Sequence, residues 1–166
     1  MHIRKEIPAD YESVYSVVKR AFERAEQKSG YEQDLVNALR KGDAFIPELS
    51  LVAEVEDEIV GHIMFTKATV EGKIVLALAP LSVLPEHQRK CIGKSLIKEG
   101  HNIAKKLGYT HSIVLGSKNY YSKAGYIPAE KFGIKAPFDV HSENFMIYDL
   151  YNTGTKIYGT IKYAKQ

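Results

Sequence analysis

The run from Ile74 to Val83 constrains this chain more than any other stretch, because it is almost wholly apolar and gives way within a few residues to a helical period. A strand buried on both faces reads as a continuous apolar run, so this segment is expected inside a sheet rather than along its rim. Pro80 interrupts it. A proline donates no ladder hydrogen bond, so its place in a central strand predicts a bulge or a point where pairing stops, leaving backbone groups free to bind something. After Pro85 the period changes. Ile92, Leu96, Ile97, Gly100, Ile103, Ala104 and Leu107 share one helical face, and Gly108 follows as a C-cap.

The remaining elements arrange themselves around this strand and helix. Ile3 to Glu6 alternates as a short strand, and Pro8 opens a helix whose stripe is Tyr11, Val14, Tyr15, Val18, Ala21 and Phe22. Leu35, Val36 and Leu39 suggest a second helix closed at Lys41-Gly42. This helical pair either borders a substrate or simply covers one sheet face. Residues 51–55 and 59–65 flank the polar turn Glu56-Asp57-Glu58 as a hairpin, and Glu71-Gly72-Lys73 makes another turn. Ser112 to Leu115 reads as a buried strand, residues 119–123 as a brief helix stopped at Gly125, and Asn144 to Leu150 as a further strand. The order is helices, then hairpins, then β–α–β. One α+β domain is expected, with a core over residues 1–150 and a C-terminal extension, 151–166, that adds an edge strand.

Bulk properties narrow the function classes. A chain of 166 residues, 45% hydrophobic and 26% charged, is ordinary for a globular domain with a real core. No apolar run approaches the roughly 20 residues of a membrane span, and the N-terminal residues lack the apolar segment of a signal peptide. The single cysteine, Cys91, rules out an internal disulfide. A cytoplasmic location is the default expectation. The net charge of +3 is mild, with its one local excess at Lys156, Lys162 and Lys165, so nucleic-acid binding is not expected. No His or Cys pair shows metal-ligand spacing, and no metal is expected.

The chemistry lies in residues 81–96. A buried strand runs into a polar turn, and the turn opens an amphipathic helix. Free N–H groups at such a start converge on an anion, helped by the helix dipole. Arg89, Lys90 and Lys94 add positive charge, Ser95 adds a hydroxyl, and Gly93 lets the backbone approach closely. These features describe a phosphate or pyrophosphate cradle. The plain alternative is a solvated basic helix start with no ligand.

Two segments carry a family resemblance. Val83-Leu84-Pro85-Glu86-His87-Gln88-Arg89-Lys90-Cys91-Ile92-Gly93 resembles the acetyl-CoA motif of the GNAT-type N-acetyltransferase superfamily, and Asn119-Tyr120-Tyr121-Ser122-Lys123-Ala124-Gly125-Tyr126 resembles its second signature. Within the superfamily, Ala79-Pro80-Leu81-Ser82-Val83 and Val114-Leu115-Gly116 are similar to the pattern of the YhbS-like group. The resemblance spans roughly Ile3 to Leu150. It implies a mostly antiparallel central sheet of six to seven strands, splayed between its fourth and fifth, and flanked by about four helices.

The resemblance also implies roles. The chain looks like an N-acetyltransferase that moves an acetyl group from acetyl-CoA to a primary amine by direct attack in a ternary complex. Gln88, Arg89, Lys90, Cys91, Ile92, Gly93, Lys94 and Ser95 would hold the donor, the pantetheine arm would run beside Leu81, Ser82 and Val83, and Asn119 would touch the cofactor. The backbone N–H of Val83 would face the oxyanion, and Tyr121 would protonate the departing thiolate, with Tyr120 as its neighbour in the register. His62, Glu86, His141 and Glu143 are candidate bases, none assigned. One departure stands out: Cys91 occupies a position where the motif has glycine. A positive φ there would cost about 1 kcal/mol or more and weaken the hold on the cofactor; a helical φ, which suits a first-turn residue and is the expectation, costs little. The runner-up function is a CoA-binding module or sensor with little or no transfer. A third reading makes the alternating tail, residues 155–163, an edge strand that pairs with a second copy of the chain.

Overall fold

The computed structural model describes residues 1–25 and 29–164; Lys165, counted above in the C-terminal basic excess, lies outside them. The order of elements is β1 (His2–Lys5), α1 (Tyr11–Phe22), α2 (Glu32–Arg40), β2 (Phe45–Val55), β3 (Glu58–Val70), β4 (Lys73–Val83), α3 (Ile92–Lys106), β5 (His111–Leu115), α4 (Lys118–Lys123), β6 (Ile127–Pro128), β7 (Ile134–Lys135), β8 (Phe145–Asp149) and β9 (Gly159–Tyr163). The main path of the sheet runs β1-β2-β3-β4-β5-β8-β6. The α+β class, the mixed open sheet and the four α-helices are as expected. The strand count exceeds six or seven because β6 and β7 are two-residue pairings, of which the sequence marks only the first, as an extended piece at Tyr126-Ile127 before Pro128.

β4 is the centre of the sheet. It pairs antiparallel with β3 from Val70↔Lys73 to Gly61↔Val83, and that ladder shifts register between Ile63 and Phe65, opposite Ala79-Pro80. The bulge expected from Pro80 is therefore present. On its other edge β4 pairs parallel with β5 at only two positions, Leu76↔Ser112 and Ala77↔Ile113. Beyond them the strands part.

Two helical layers cover the sheet. On one face α3 buries Ile92, Leu96, Ile97 and Ala104 against Leu51, Ala53, Ile63, Phe65 and Leu76. Gly100 lies in this contact because an added Cβ there would collide with the fully buried Phe65 ring, 2.9 Å from its Cζ. Leu107, assigned above to the same stripe, is 47% exposed: the helix ends at Lys106 and Leu107 lies past its last turn. On the other face Val14 and Val18 of α1 and Val36 and Leu39 of α2 pack with Val52 and Met64. The α1 stripe differs from expectation in that Val17 is buried whereas Tyr11 is 37% exposed. β2 begins six residues earlier than the hairpin pattern suggests, at Phe45, because Pro47 falls in a register irregularity between Phe45 and Ser50, where its missing N–H costs no ladder bond. The tail, expected as an edge open to a second chain, has register partners within its own chain at every residue of β9. Gly159 and Thr160 pair with β7, and Ile161 to Tyr163 pair with β3.

Under α2 lies a buried polar cluster that periodicity did not reveal. Glu6 accepts hydrogen bonds from the Arg40 guanidinium and from Ser50 Oγ, the latter at 2.6 Å. Because that hydroxyl donates to the carboxylate, His62 Nε2, 3.0 Å away, donates to it in turn. His62 Nδ1 is then an unprotonated nitrogen, with no partner among the described residues. Burial pushes the His62 pKa down from 6.5 to about 4, with Glu6 opposing and Arg40 reinforcing the shift. His101, buried by α3 against Tyr126 and Tyr148, is likewise lowered by burial to about 4.

Both histidines are neutral in the fold and titrate near 6.5 when unfolded, so protons bind the unfolded chain first. Stability measured by urea denaturation should be full above pH 6.5 and fall towards pH 4, by at most ~1.4 kcal/mol per pH unit per histidine. In His101→Phe the slope should be shallower by no more than that ~1.4 kcal/mol per pH unit, with His62 and His111, whose pKa burial also lowers, supplying the remainder.

Candidate active site

The site is built where β4 leaves β5 and turns into α3. Leu84 N donates to Val60 O at 2.8 Å. In an antiparallel ladder successive residues alternate between bonding the neighbour and facing away. With Gly61↔Val83, His62↔Ser82 and Ile63↔Leu81 in register, Ser82 bonds to β3, whereas the N–H and C=O groups of Leu81 and Val83 face the edge that β5 has left. The carbonyl of Val83 there accepts from Gln88 Nε2 at 3.1 Å.

The chain then makes a 3-10 turn at Pro85–His87, anchored to α1 by the paired contacts of Arg20 Nη2 with both Glu86 oxygens at 2.9 Å. Arg89 and Cys91 take left-handed φ values of 65° and 63°, and α3 begins at Ile92. The expectation of a helical φ at Cys91 is thus corrected. Cys91 precedes the first helical residue, and a left-handed residue there turns the successive amides to one side. Its side chain stays outside the helix, exposed.

The consequence is a row of free donors. The amides of Arg89, Lys90, Cys91, Ile92, Gly93 and Lys94 have no acceptor among the described residues. Ser95 N, next in line, bonds to Cys91 O at 3.0 Å, and Ser95 Oγ is spent on the same oxygen at 2.9 Å. Arg89, Lys90 and Lys94 have no carboxylate partner among the described residues. Several unpaired N–H groups, a helix start and unneutralised cations together form an anion site.

A cleft of about 470 Å³ follows this row along the opened edge of β4. Of the expected contacts it is lined by Leu81, Val83, Gln88, Arg89, Cys91, Ile92, Gly93, Lys94 and Tyr121. His87 and Tyr120 join them, neither having been assigned a contact from sequence. Tyr120 Oη sits over Gly93, where any Cβ would collide with it. This explains Gly93 by close contact, since its φ is not among the positive ones. Ser82, Lys90, Ser95 and Asn119 do not line the cleft. The Ser82 side chain lies on the opposite sheet face, buried and with no partner among the described residues.

Tyr121 is held by packing. α4 is capped by Ser117 Oγ, which accepts from Tyr120 N at 3.3 Å, and ends at Gly125 with φ 96°. The Tyr121 ring lies on Gly116, where an added Cβ would stand 2.6 Å from its Cε2, and meets Tyr126 edge-on at 5.6 Å. Tyr126 is itself fixed by Ser112 Oγ at 2.7 Å and His101 Nε2 at 2.9 Å. The Tyr121 hydroxyl has no hydrogen-bond partner among the described residues, and burial, reinforced by Tyr120, raises its pKa well above the usual phenol range. It is protonated at any physiological pH. None of the four candidate bases lines the cleft. His62 is in the core, Glu86 is exposed and paired with Arg20, and Glu143 lies 3.8 Å from Lys118 beside exposed His141.

Comparison with known proteins supplies a family and a fold. The sequence profile of the acetyltransferase (GNAT) family fits residues 11–126. The chain is 38% identical over 118 residues to the uncharacterised N-acetyltransferase YjhQ of Escherichia coli strain K12, covering 68% of this chain and 65% of YjhQ, so it spans just under two thirds of that relative. It is 29% identical over 153 residues to the uncharacterised N-acetyltransferase YhbS of the same strain, covering 90% and 87%. The crystal structure of E. coli YhbS in complex with CoA superposes with a TM-score of 0.87 at 25% identity, over 98% of this chain and 88% of that one. A GNAT family acetyltransferase from Brucella melitensis in complex with acetyl-CoA gives a TM-score of 0.80 at 30% identity, over 98% and 94%.

A non-glycine residue in the left-handed region stores strain that glycine does not. Cys91→Gly should therefore stabilise the protein by about 0.5 to 1 kcal/mol, after the greater freedom of glycine in the unfolded chain is subtracted. The check is the urea midpoint at unchanged slope; a midpoint that falls would show that Cys91 is not strained.

Proposed function

Because the chain belongs to the acetyltransferase (GNAT) family, we propose that it is an N-acetyltransferase that takes acetyl-CoA as donor and a primary amine as acceptor, the amine attacking the thioester directly in a ternary complex. The observation that carries this reading is the row of unpaired amides from Arg89 to Lys94 beside an opened strand edge. A pyrophosphate is the anion that such a row fits, and the edge continues from it as a path for an extended amide-bearing arm.

The chemistry follows from the direction of that path. The pyrophosphate end lies at α3, so the arm runs past Val83 and Leu81 towards the point where β4 and β5 meet. The outward N–H of Val83 is the proposed oxyanion donor, and that of Leu81 is the next on the same edge, deeper in the opening. Fixed N–H groups aimed at a developing oxyanion stabilise it more than water does, because they need no reorganisation. Attack by the neutral amine forms the C–N bond, and collapse of the oxyanion breaks the C–S bond. The Tyr121 phenol donates its proton to the departing thiolate, and the ammonium proton of the product leaves to water. Burial keeps Tyr121 protonated but also weakens it as an acid; the same low-dielectric surroundings raise the basicity of a thiolate formed beside it, so donor and acceptor are shifted in the same direction.

The test separates chemistry from binding. Tyr121→Phe should lower the rate of CoA release by about a hundredfold or more, with acetyl-CoA affinity by calorimetry unchanged. Tyr120→Phe, whose hydroxyl lies over Gly93, should weaken donor binding more than it lowers kcat. Release by Tyr121→Phe at the wild-type rate would remove the acid role. Donor binding with no release over a broad amine panel would favour the CoA-binding module instead.

A further inference from the structure

The opening between β4 and β5 has two faces, and the donor cleft uses one. On the other lies a second cleft, of about 520 Å³. Its floor is Ala77, Leu78 and Ala79 of β4 with Ile113 and Leu115 of β5, the residues around the last cross-strand pair, Ala77↔Ile113. Side chains alternate between the faces of a strand. Ala77 and Ile113 belong to the layer away from α3, whereas Leu81 and Val83 pack in the α3 layer. The two clefts therefore reach the same opening from opposite sides, and a group held in each would meet where the strands part.

The walls of the second cleft are apolar: Leu35 and Leu39 of α2, Phe138, and Tyr163 of β9. Leu115, Phe138 and Tyr163 are 44%, 51% and 40% exposed, so three large apolar groups stand in solvent around one cavity. Gathered exposed apolar groups mark a binding surface, unlike isolated ones. Among the described residues the lining holds one charged group, the Glu32 carboxylate, and no lysine or arginine. Partial burial works against its ionisation, but hydrogen bonds from Ser29 and Gly30, the shortest 2.6 Å, outweigh this and keep it charged.

We propose that this cleft is the acceptor site and that its acceptor is a monoamine on an apolar body, an arylalkylamine being the simplest case. The proposal rests on the donor reading given above. An apolar body gains by leaving water for Leu35, Leu39, Leu115 and Phe138, and the single carboxylate attracts one ammonium. A polyamine or an aminoglycoside would bring several cations to one carboxylate. A free amino acid would bring its own carboxylate into a lining whose described residues include no cation, and burying an unpaired charge is costly.

Phenethylamine and phenylalanine differ only by that carboxylate, which makes them the probes of choice. Acetyl-CoA affinity is measured first, by calorimetry, for the wild type and for Leu115→Gln and Phe138→Ser, both of which change exposed side chains. Phenethylamine, phenylalanine, spermidine and a peptide with an N-terminal Phe are then titrated into the CoA-loaded protein by ligand-observed NMR. Phenethylamine should bind most tightly, and each variant should weaken it at least about tenfold with acetyl-CoA affinity unchanged. Tighter binding of any other probe, or phenethylamine binding that both variants leave unaltered, overturns the acceptor assignment while the donor reading stands. Absence of acetyl-CoA binding in the wild type overturns both.

Discussion

The structure depends on a pair of parallel strands that stops after two register positions. β4 is bound along one edge to β3 for its whole length, but on the other edge it leaves β5 after Ala77. Unpaired N–H and C=O groups in a sheet interior are costly unless something satisfies them. Here they open onto a cleft, and the same divergence makes room for α3 to begin beside them. Both proposed clefts, and the meeting of their occupants, follow from that one interruption of pairing.

Rigidity around the opening comes from packing rather than from hydrogen bonds across it. α3 approaches the sheet closely because Gly100 leaves space for Phe65, which fixes the height of the cradle above β4. Tyr126 joins His101 of α3 to Ser112 of β5, so the helix that follows β4 is tied to the strand across the gap. Tyr121 inherits its position from this tie, through its edge contact with Tyr126 and its seat on Gly116. The proposed acid is thus placed by a buried histidine outside the donor cleft.

Much of this was legible in the sequence, for identifiable reasons. A continuous apolar run interrupted by Pro80 carries its own topology, because central burial and a lost donor can coexist only at a bulge, and the register shift opposite Ala79-Pro80 is that bulge. The period change after Pro85 and Gly108 likewise fixed α3 to within a residue of its end. What escaped depended on partners distant in sequence. The φ of Cys91 is set by the turn from Pro85 to Arg89, not by its own propensity, which favours a helical value. Ser82 sits in the right stretch, yet strand alternation sends its side chain to the opposite face. The Glu6–Arg40–Ser50–His62 cluster joins four segments and has no local signature. Tyr120 was read only as the neighbour of Tyr121, because its contact with Gly93 spans two helices.

The central claim is that backbone amides between Val83 and Ser95 hold the donor. An amide-resolved NMR titration of the protein with CoA tests it most directly, since it reports on the N–H groups themselves. The account predicts that the largest shifts fall on Leu81, Val83 and the amides of Arg89 to Lys94, with Ser82, bonded to β3, moving less than either neighbour. Shifts confined to other elements, or none at saturating CoA, would contradict it.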